Sequence, residues 1–221
     1  MLIELSPKLL RLPSLKQNLV LQTFVNSGLR RLEIPYRHTI KMSTIPTFTT
    51  ELKHHSALKK LPSHIDEFVV SFRLSENMTQ SFEVLHSLNT IVPFVKVRVR
   101  ILDCWDTEGS YDRQACIVAL LCRFVDLGVH SVDLCDSLGE ATRKTTARLL
   151  NIVLKNHFPL NIGLGVKTVN LALVGADMGV HSLLCSLVAA PDVPCVDTLK
   201  VAKALQLLLN YEDLHELKKM I

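Results

Sequence analysis

The strongest constraint in this 221-residue chain is an alternation repeated along its whole length. Short β-branched or apolar runs are followed by longer stretches with helical periodicity. Leu2 to Leu5 reads as a strand. Ser14 then opens a helix whose Leu15, Leu19, Val20 and Phe24 fall at three- and four-residue steps, ending at Gly28. Arg31 to Ile34 is a second strand, and His38 to Thr44 is too short for a full helix. Pro46 to Thr49 is a weak third strand, and Glu51 to Leu61 a helix stopped by Pro62. Strands follow at Glu67–Phe72, Phe94–Leu102, Ser131–Cys135, Leu160–Leu164 and His181–Leu187. Helices between and after them are expected at Met78–Leu88, Tyr111–Leu127, Arg143–His157, Val169–Met178 and Val196–Tyr211.

Eight such units of about 25 residues predict an α/β fold, a (β/α)₈ TIM barrel built as a single domain over residues 1–221. The competitor is an open doubly wound sheet. That fold needs a glycine-rich turn after its first strand, where this chain has Ser6-Pro7-Lys8-Leu9. A barrel of this type usually takes about 250 residues, so this one is compact. The shortening falls on the second helix and the active-face loops. The C-terminal segment, Ala202 to Ile221, is either a barrel-closing helix or an exposed interface helix.

Composition narrows the function classes. Hydrophobic residues make up 48% and charged residues 21%, enough for a core and too little charge for disorder. The longest apolar run, Ala115 to Cys122, is far short of the roughly 20 residues of a membrane span. A net charge of +4 is spread without a basic stripe, which argues against nucleic acid as a partner. The densest basic stretch, Lys53 to Lys60 with His54 and His55, reads as a solvated helix face. Six cysteines lack the two-residue spacing of a zinc or redox motif, and most lie in apolar segments. Met1-Leu-Ile-Glu-Leu reads as a strand and not as a targeting peptide. An intracellular, cytoplasmic protein is therefore expected, with no membrane partner.

A barrel places its chemistry at the carboxyl ends of its strands. The residues there are Lys8, Glu33, Ser71, Arg73, Asp103, Asp136, Ser137, Gly163, Gly165, Cys185 and Ser186. Glu33, Asp103 and Asp136 are acidic, but no histidine joins them at a strand end, and His38 is the nearest. The carboxylates are expected either to pair with Lys8 and Arg73 or to act on a substrate. Lys8 or Lys167 could serve as a Schiff-base lysine if burial depresses its pKa. No Gly-x-Ser-x-Gly elbow occurs. The segment Val188-Ala-Ala-Pro-Asp-Val-Pro-Cys195 carries no glycine to cradle a phosphate.

One family resemblance ties these pieces together. Val132-Asp-Leu-Cys-Asp-Ser-Leu-Gly139 resembles the sixth strand of hydroxymethylglutaryl-CoA lyase and its pyruvate-carboxyltransferase (DRE-TIM metallolyase) relatives, which carry Gly-Asp-Thr-x-Gly there. Ile3-Glu-Leu-Ser-Pro-Lys8 is similar to their Val-Glu-Val-Gly-Pro-Arg-Asp, and Gly28-Leu-Arg-Arg-Leu-Glu-Ile34 to their Ala-Gly-x-x-x-Ile-Glu. Val97 to Gly109 resembles Val-Arg-Gly-Tyr-Val-Ser-Cys with a later Glu-Gly. Ala176-Asp-Met-Gly-Val180 resembles Leu-x-Met-Gly-Val.

The resemblance implies a divalent metal, Mg²⁺ or Mn²⁺, held by an aspartate after strand 1 and a His-x-His pair after strand 7. Here those positions are Leu9, Gly163 and Gly165, and the family's catalytic arginine is Lys8. The glycine loop with its reactive cysteine is replaced by the proline-containing segment, although Cys195 lies near that cysteine's place. Glu33, Asp136 and Ser137 remain. The expected reading is a degenerate lyase-like barrel without a metal or other cofactor, kept for binding or interaction. The alternative is a residual carbon–carbon lyase acting on an acyl-CoA. Lys8 and Asp136 are the catalytic candidates, and Glu33, Arg73, Asp103 and Ser137 line the candidate cleft. A second copy of the chain, or an active lyase relative, is the expected partner.

Overall fold

In the computed structural model the described residues are 2–5, 20, 22–29, 32–35, 48–52, 65–92, 95–106, 110–187, 194–207 and 209–220. Eight parallel strands follow one another around a ring. They are β1 (Leu2–Leu5), β2 (Leu32–Pro35), β3 (Phe48–Glu51), β4 (Glu67–Arg73), β5 (Lys96–Leu102), β6 (Ser131–Cys135), β7 (Asn161–Gly165) and β8 (Ser182–Ser186). Each pairs with the next, and β8 pairs with β1 through Leu2↔Leu183, Ile3↔Leu184 and Glu4↔Cys185, which closes the barrel. A two-residue β9 (Val196–Asp197) adds to the end of β8.

Helices alternate with these strands: α1 (Thr79–Ile91), α2 (Tyr111–Asp126), α3 (Arg143–Lys155), α4 (Val169–Asp177), α5 (Thr198–Ala204) and α6 (Tyr211–Met220). Residues 22–26 are also helical, and Gly28 follows them at φ 87°, the left-handed position that ends a helix most easily with glycine. The N-termini of α2, α3, α4 and α5 begin where side chains replace missing helical partners. Ser110 accepts from the Arg113 amide, Thr168 from Leu171 and Asp197 from Lys200. Thr142 forms a reciprocal capping box with Thr145.

Two expectations need correction. Glu51 closes β3 and does not open a helix; residues 53–61 of that expected helix, and 36–47 before it, lie outside the described residues. The continuous helix from Val196 to Tyr211 is instead β9 followed by α5 and α6. Gln206 takes a left-handed φ of 51° and ends the first helix run, and the Asn210 side chain accepts from the amides of Glu212 and Asp213 to start the second. The Asn210 amide bonds the Ser27 carbonyl, so the returning helix lies on the core and buries Leu214 and Leu217 completely. Among the described residues, no helix is long and apolar enough to cross a membrane.

The packing inverts a naive reading of β5. In Lys-Val-Arg-Val-Arg-Ile-Leu, the aliphatic residues Val97, Val99 and Ile101 join the main apolar core with Leu85, Leu88 and Phe124 of the surrounding helices. Period two then sends Arg98 and Arg100 into the barrel, and both are almost wholly inaccessible. Arg98 reaches Glu67 of β4, Asp133 of β6 and Ser182 of β8. Side chains from β4 and β8, on opposite sides of the ring, meet one guanidinium only because the sheet is closed. Toward the carboxyl ends the interior turns apolar, with Leu102, Cys135 and Leu184 packed together and Cys195 against them.

Candidate functional site

The residues at the strand ends separate into three groups. The first joins Arg73, Asp103 and Ser137 from the ends of β4, β5 and β6. Arg73 Nη1 donates to both Asp103 oxygens at 3.1 and 3.2 Å, and Ser75 Oγ donates to Oδ2 at 2.8 Å. Ser137 Oγ donates to Asp103 Oδ1 at 2.6 Å and accepts from the Asp103 amide at 2.8 Å. Asp103 sits at φ 60°, a left-handed conformation rare for a residue with a side chain, and this ring of bonds holds it there. Arg113 of α2 adds a bond from Nη1 to the Asp103 carbonyl at 2.6 Å. Arg73 is itself shared, with its Nε 3.1 Å from Glu76.

Burial alone would raise the pKa of Asp103, but the hydroxyls of Ser137 and Ser75 and the charge of Arg73 outweigh it and hold the carboxyl below its ordinary value. A carboxylate so held is a weak base. Its depressed folded pKa means that its contribution to stability is complete above the ordinary carboxylate range and is lost as pH falls through the folded value. The thermal midpoint of the wild type is therefore expected to exceed that of Asp103→Asn by a constant margin above about pH 5, with the margin shrinking below about pH 4. A pair of melting series against pH checks this, and a margin that grows on acidification contradicts it.

The second group is Glu33 with Arg100. Two parallel bonds, 3.2 Å from Nη1 to Oε1 and 2.6 Å from Nη2 to Oε2, form a planar fork. Glu33 was expected in the cleft with Arg73, Asp103 and Ser137. It is instead tied to an arginine within the barrel.

The third is Asp136, turned toward its own loop. Oδ1 accepts from the amides of Gly139 and Glu140, each at 2.9 Å, and Oδ2 from Ala141 at 3.2 Å. This carboxylate organises the turn that leads to α3, and Gly139 accommodates the turn at φ 82°. Lys167 lies beside it, donating from Nζ to the Ser137 carbonyl at 3.1 Å. Lys8, Leu9 and His38 lie outside the described residues. Burial pushes the thiols of Cys104 and Cys135 up in pKa, so neither is a ready thiolate nucleophile at neutral pH.

The side chains that could hold a metal, among the described residues, do not fit one. Among the described residues, no group of three or more His, Cys, Asp or Glu side chains converges in a geometry suited to a metal ion. The two glycines of β7 explain part of this. A Cβ at Gly163 would lie 2.0 Å from Asp133 Oδ1 and 2.6 Å from Ser182 Oγ. At Gly165 it would meet Cys135 Sγ at 2.7 Å, Leu184 Cδ1 at 2.9 Å and the Pro194 carbonyl oxygen at 2.9 Å. Any side chain at either place, a histidine included, would displace neighbours that already fill the space.

Sequence reasoning missed the interior arginines and Ser75. The signal for the arginines was present in the valine face of β5: if helices cover the valines, the alternate residues must point inward. Ser75 follows β4 in the turn and has no periodicity to mark it.

Comparison with known proteins rests on structure. No family model matches the chain, and no curated protein matches it. Hydroxymethylglutaryl-CoA lyase from Bacillus subtilis superposes with a TM-score of 0.81 over 99% of this chain and 91% of its own, at 15% identity. The enzyme from Pseudomonas aeruginosa gives 0.76 over 99% and 90%, also at 15% identity. The carboxyl transferase domain of Rhizobium etli pyruvate carboxylase gives 0.72 at 12% identity, covering 99% of this chain and 46% of that one. With closed ring, strand order and these likenesses together, the chain has a (β/α)₈ barrel fold similar to that of the hydroxymethylglutaryl-CoA lyases.

Proposed function

We propose that this chain is a hydroxymethylglutaryl-CoA lyase-like barrel in which metal-dependent lyase chemistry has been lost and the scaffold is kept for binding or interaction. The observation that carries the reading is the filled space at Gly163 and Gly165. The family resemblance puts a His-x-His pair at these two positions, and Asp133, Ser182, Cys135 and Leu184 occupy the room those rings would need. The remaining carboxylates are committed elsewhere: Asp103 to Arg73 and two serines, Glu33 to Arg100, and Asp136 to three amides.

Carbon–carbon cleavage of a hydroxymethylglutaryl thioester generates an enolate, which must be stabilised as its charge develops. Cations spent on internal carboxylates have little capacity left for that oxyanion. Incubation with hydroxymethylglutaryl-CoA, with and without millimolar Mg²⁺ or Mn²⁺, is expected to release no acetoacetate above background. The same ions are expected to leave the thermal midpoint unchanged. Acetoacetate release that disappears in Asp136→Ala would overturn the proposal in favour of a residual lyase using Asp136 and Lys8. The partner class consistent with this reading is a second copy of the chain or an active lyase relative. Co-purification in mild salt tests the latter.

A further inference from the structure

At the carboxyl ends of the strands, one apolar cluster holds two thiols. Cys135, the last residue of β6, is fully buried there with Leu102 and Leu184. Cys195, half-buried just before β9, packs against the same cluster. Gly165 of β7 is what lets the two flanks meet. It is the ladder partner of Cys135. The place its Cβ would take lies 2.7 Å from Cys135 Sγ and 2.9 Å from the carbonyl oxygen of Pro194, whose carbon is bonded to the Cys195 nitrogen. A sulfur from β6 and the peptide leading into Cys195 thus share the space that a side chain on β7 would fill. The other thiols stand apart: Cys104 and Cys185 belong to the main core, and Cys116 and Cys122 are exposed on α2.

We propose that Cys135 and Cys195 are an oxidation-sensitive pair, whose disulfide staples the segment before β9 to the end of β6 across the mouth of the barrel. The oxidant is a peroxide, and hydrogen peroxide serves as the probe. The Cys195 sulfur attacks one peroxide oxygen, the O–O bond breaks, and a sulfenic acid forms as one water leaves. The Cys135 sulfur then attacks the Cys195 sulfur, the S–O bond breaks, and the hydroxyl departs with the Cys135 proton as a second water. The two thiols lose two electrons and two protons, and the peroxide is reduced to two waters. Access sets the order of the steps. Solvent reaches Cys195, whereas burial encloses Cys135 and pushes its thiol up in pKa. The pair acts whether or not any lyase chemistry is left in the barrel.

The test maps the thiols of the full chain after brief treatment with hydrogen peroxide. Remaining thiols are alkylated in denaturant without reductant, and the digest is read by mass spectrometry beside untreated protein, Cys195→Ser and Cys135→Ser. A reducible peptide pair joining Cys135 to Cys195 is expected in the oxidised wild type and in neither variant. The oxidised monomer is expected to melt roughly 5–10 °C above the reduced one, because a link closing about sixty residues restricts the unfolded chain. Cys135 recovered as an alkylated thiol while Cys195 has become a sulfinic acid overturns the proposal. So does a disulfide from either residue to Cys104, Cys116, Cys122 or Cys185, or loss of the Cys135 thiol in Cys195→Ser. If Cys135→Ser does not fold, Cys195→Ser, changed at a half-buried position, decides the matter alone.

Discussion

Arg98→Ala is expected to destabilise the barrel by about 3–5 kcal/mol, because it takes away the buried guanidinium that bonds two buried carboxylates. Arg98 is 1% exposed and Glu67 and Asp133 are 0% exposed, so water cannot take over the lost role. Its bonds are 2.9 Å from Nε to Glu67 Oε2 and 2.6 Å from Nη1 to Asp133 Oδ1, with a weaker 3.3 Å contact to Ser182. Domains are stable by only about 5–15 kcal/mol in total, so the variant should approach the threshold of folding. Urea unfolding measures the loss. Replacing Glu67, Arg98 and Asp133 together by apolar residues of similar volume should cost far less, since the guanidinium and both carboxylates it bonds then leave together. A single Arg98→Ala costing under about 1 kcal/mol would show that the triad carries little of the core.

Gly163→Ala is the second large effect expected, roughly 3 kcal/mol or more from one added methyl. The new carbon would stand 2.0 Å from the oxygen that Arg98 holds, and 2.6 Å from Ser182 Oγ. Neither neighbour is a free chain end, since both bond the same guanidinium. Gly128→Ala provides the contrast. That glycine needs its left-handed φ of 70° but has nothing within 4 Å of an added Cβ, so only about 1 kcal/mol of backbone strain is expected. The double variant Gly163→Ala/Asp133→Ala should be less damaged than the sum of its parts, because removing Asp133 clears the nearest clash and leaves Arg98 paired one-to-one with Glu67. Additive losses in chemical unfolding would locate the damage elsewhere.

Much of the scaffold was legible because barrels write two periods into a sequence. Leu2–Leu5 and Ser131–Cys135 were read to the residue, and the other strands within one or two positions, since buried parallel strands are short apolar runs cut off by turns. The helices expected to start at Tyr111, Arg143 and Val169 do start there, and in the structure the hydroxyls of Ser110, Thr142 and Thr168 cap them. The last unit misled. Val196 to Tyr211 carries enough leucine to pass for one helix, and nothing local announces that Gln206 will adopt a left-handed φ of 51°. That break depends on the Ser27 carbonyl, distant in sequence, receiving the Asn210 amide.

The site was legible as positions and not as pairings. Arg73, Asp103 and Ser137 were placed at neighbouring strand ends from the order of elements, and they do meet. Glu33 was grouped with them but belongs to Arg100, one ladder position inside β5, and Asp136 turns to the amides of its own loop. Strand order decides which ends are adjacent. It does not decide how deep in the barrel each side chain lies, nor which of several cations it reaches.

By itself, then, the chain's pattern of apolar runs determined eight parallel strands, because burial of the alternating segments admits few other closures. Ring closure alone decided that Arg98 would bring together Glu67, Asp133 and Ser182 from three other strands, and that two glycines of β7 would border filled space. The physical reason is that local periodicity reports which face of a segment is buried, whereas charge pairing and steric room are set by residues that meet only across the closed barrel.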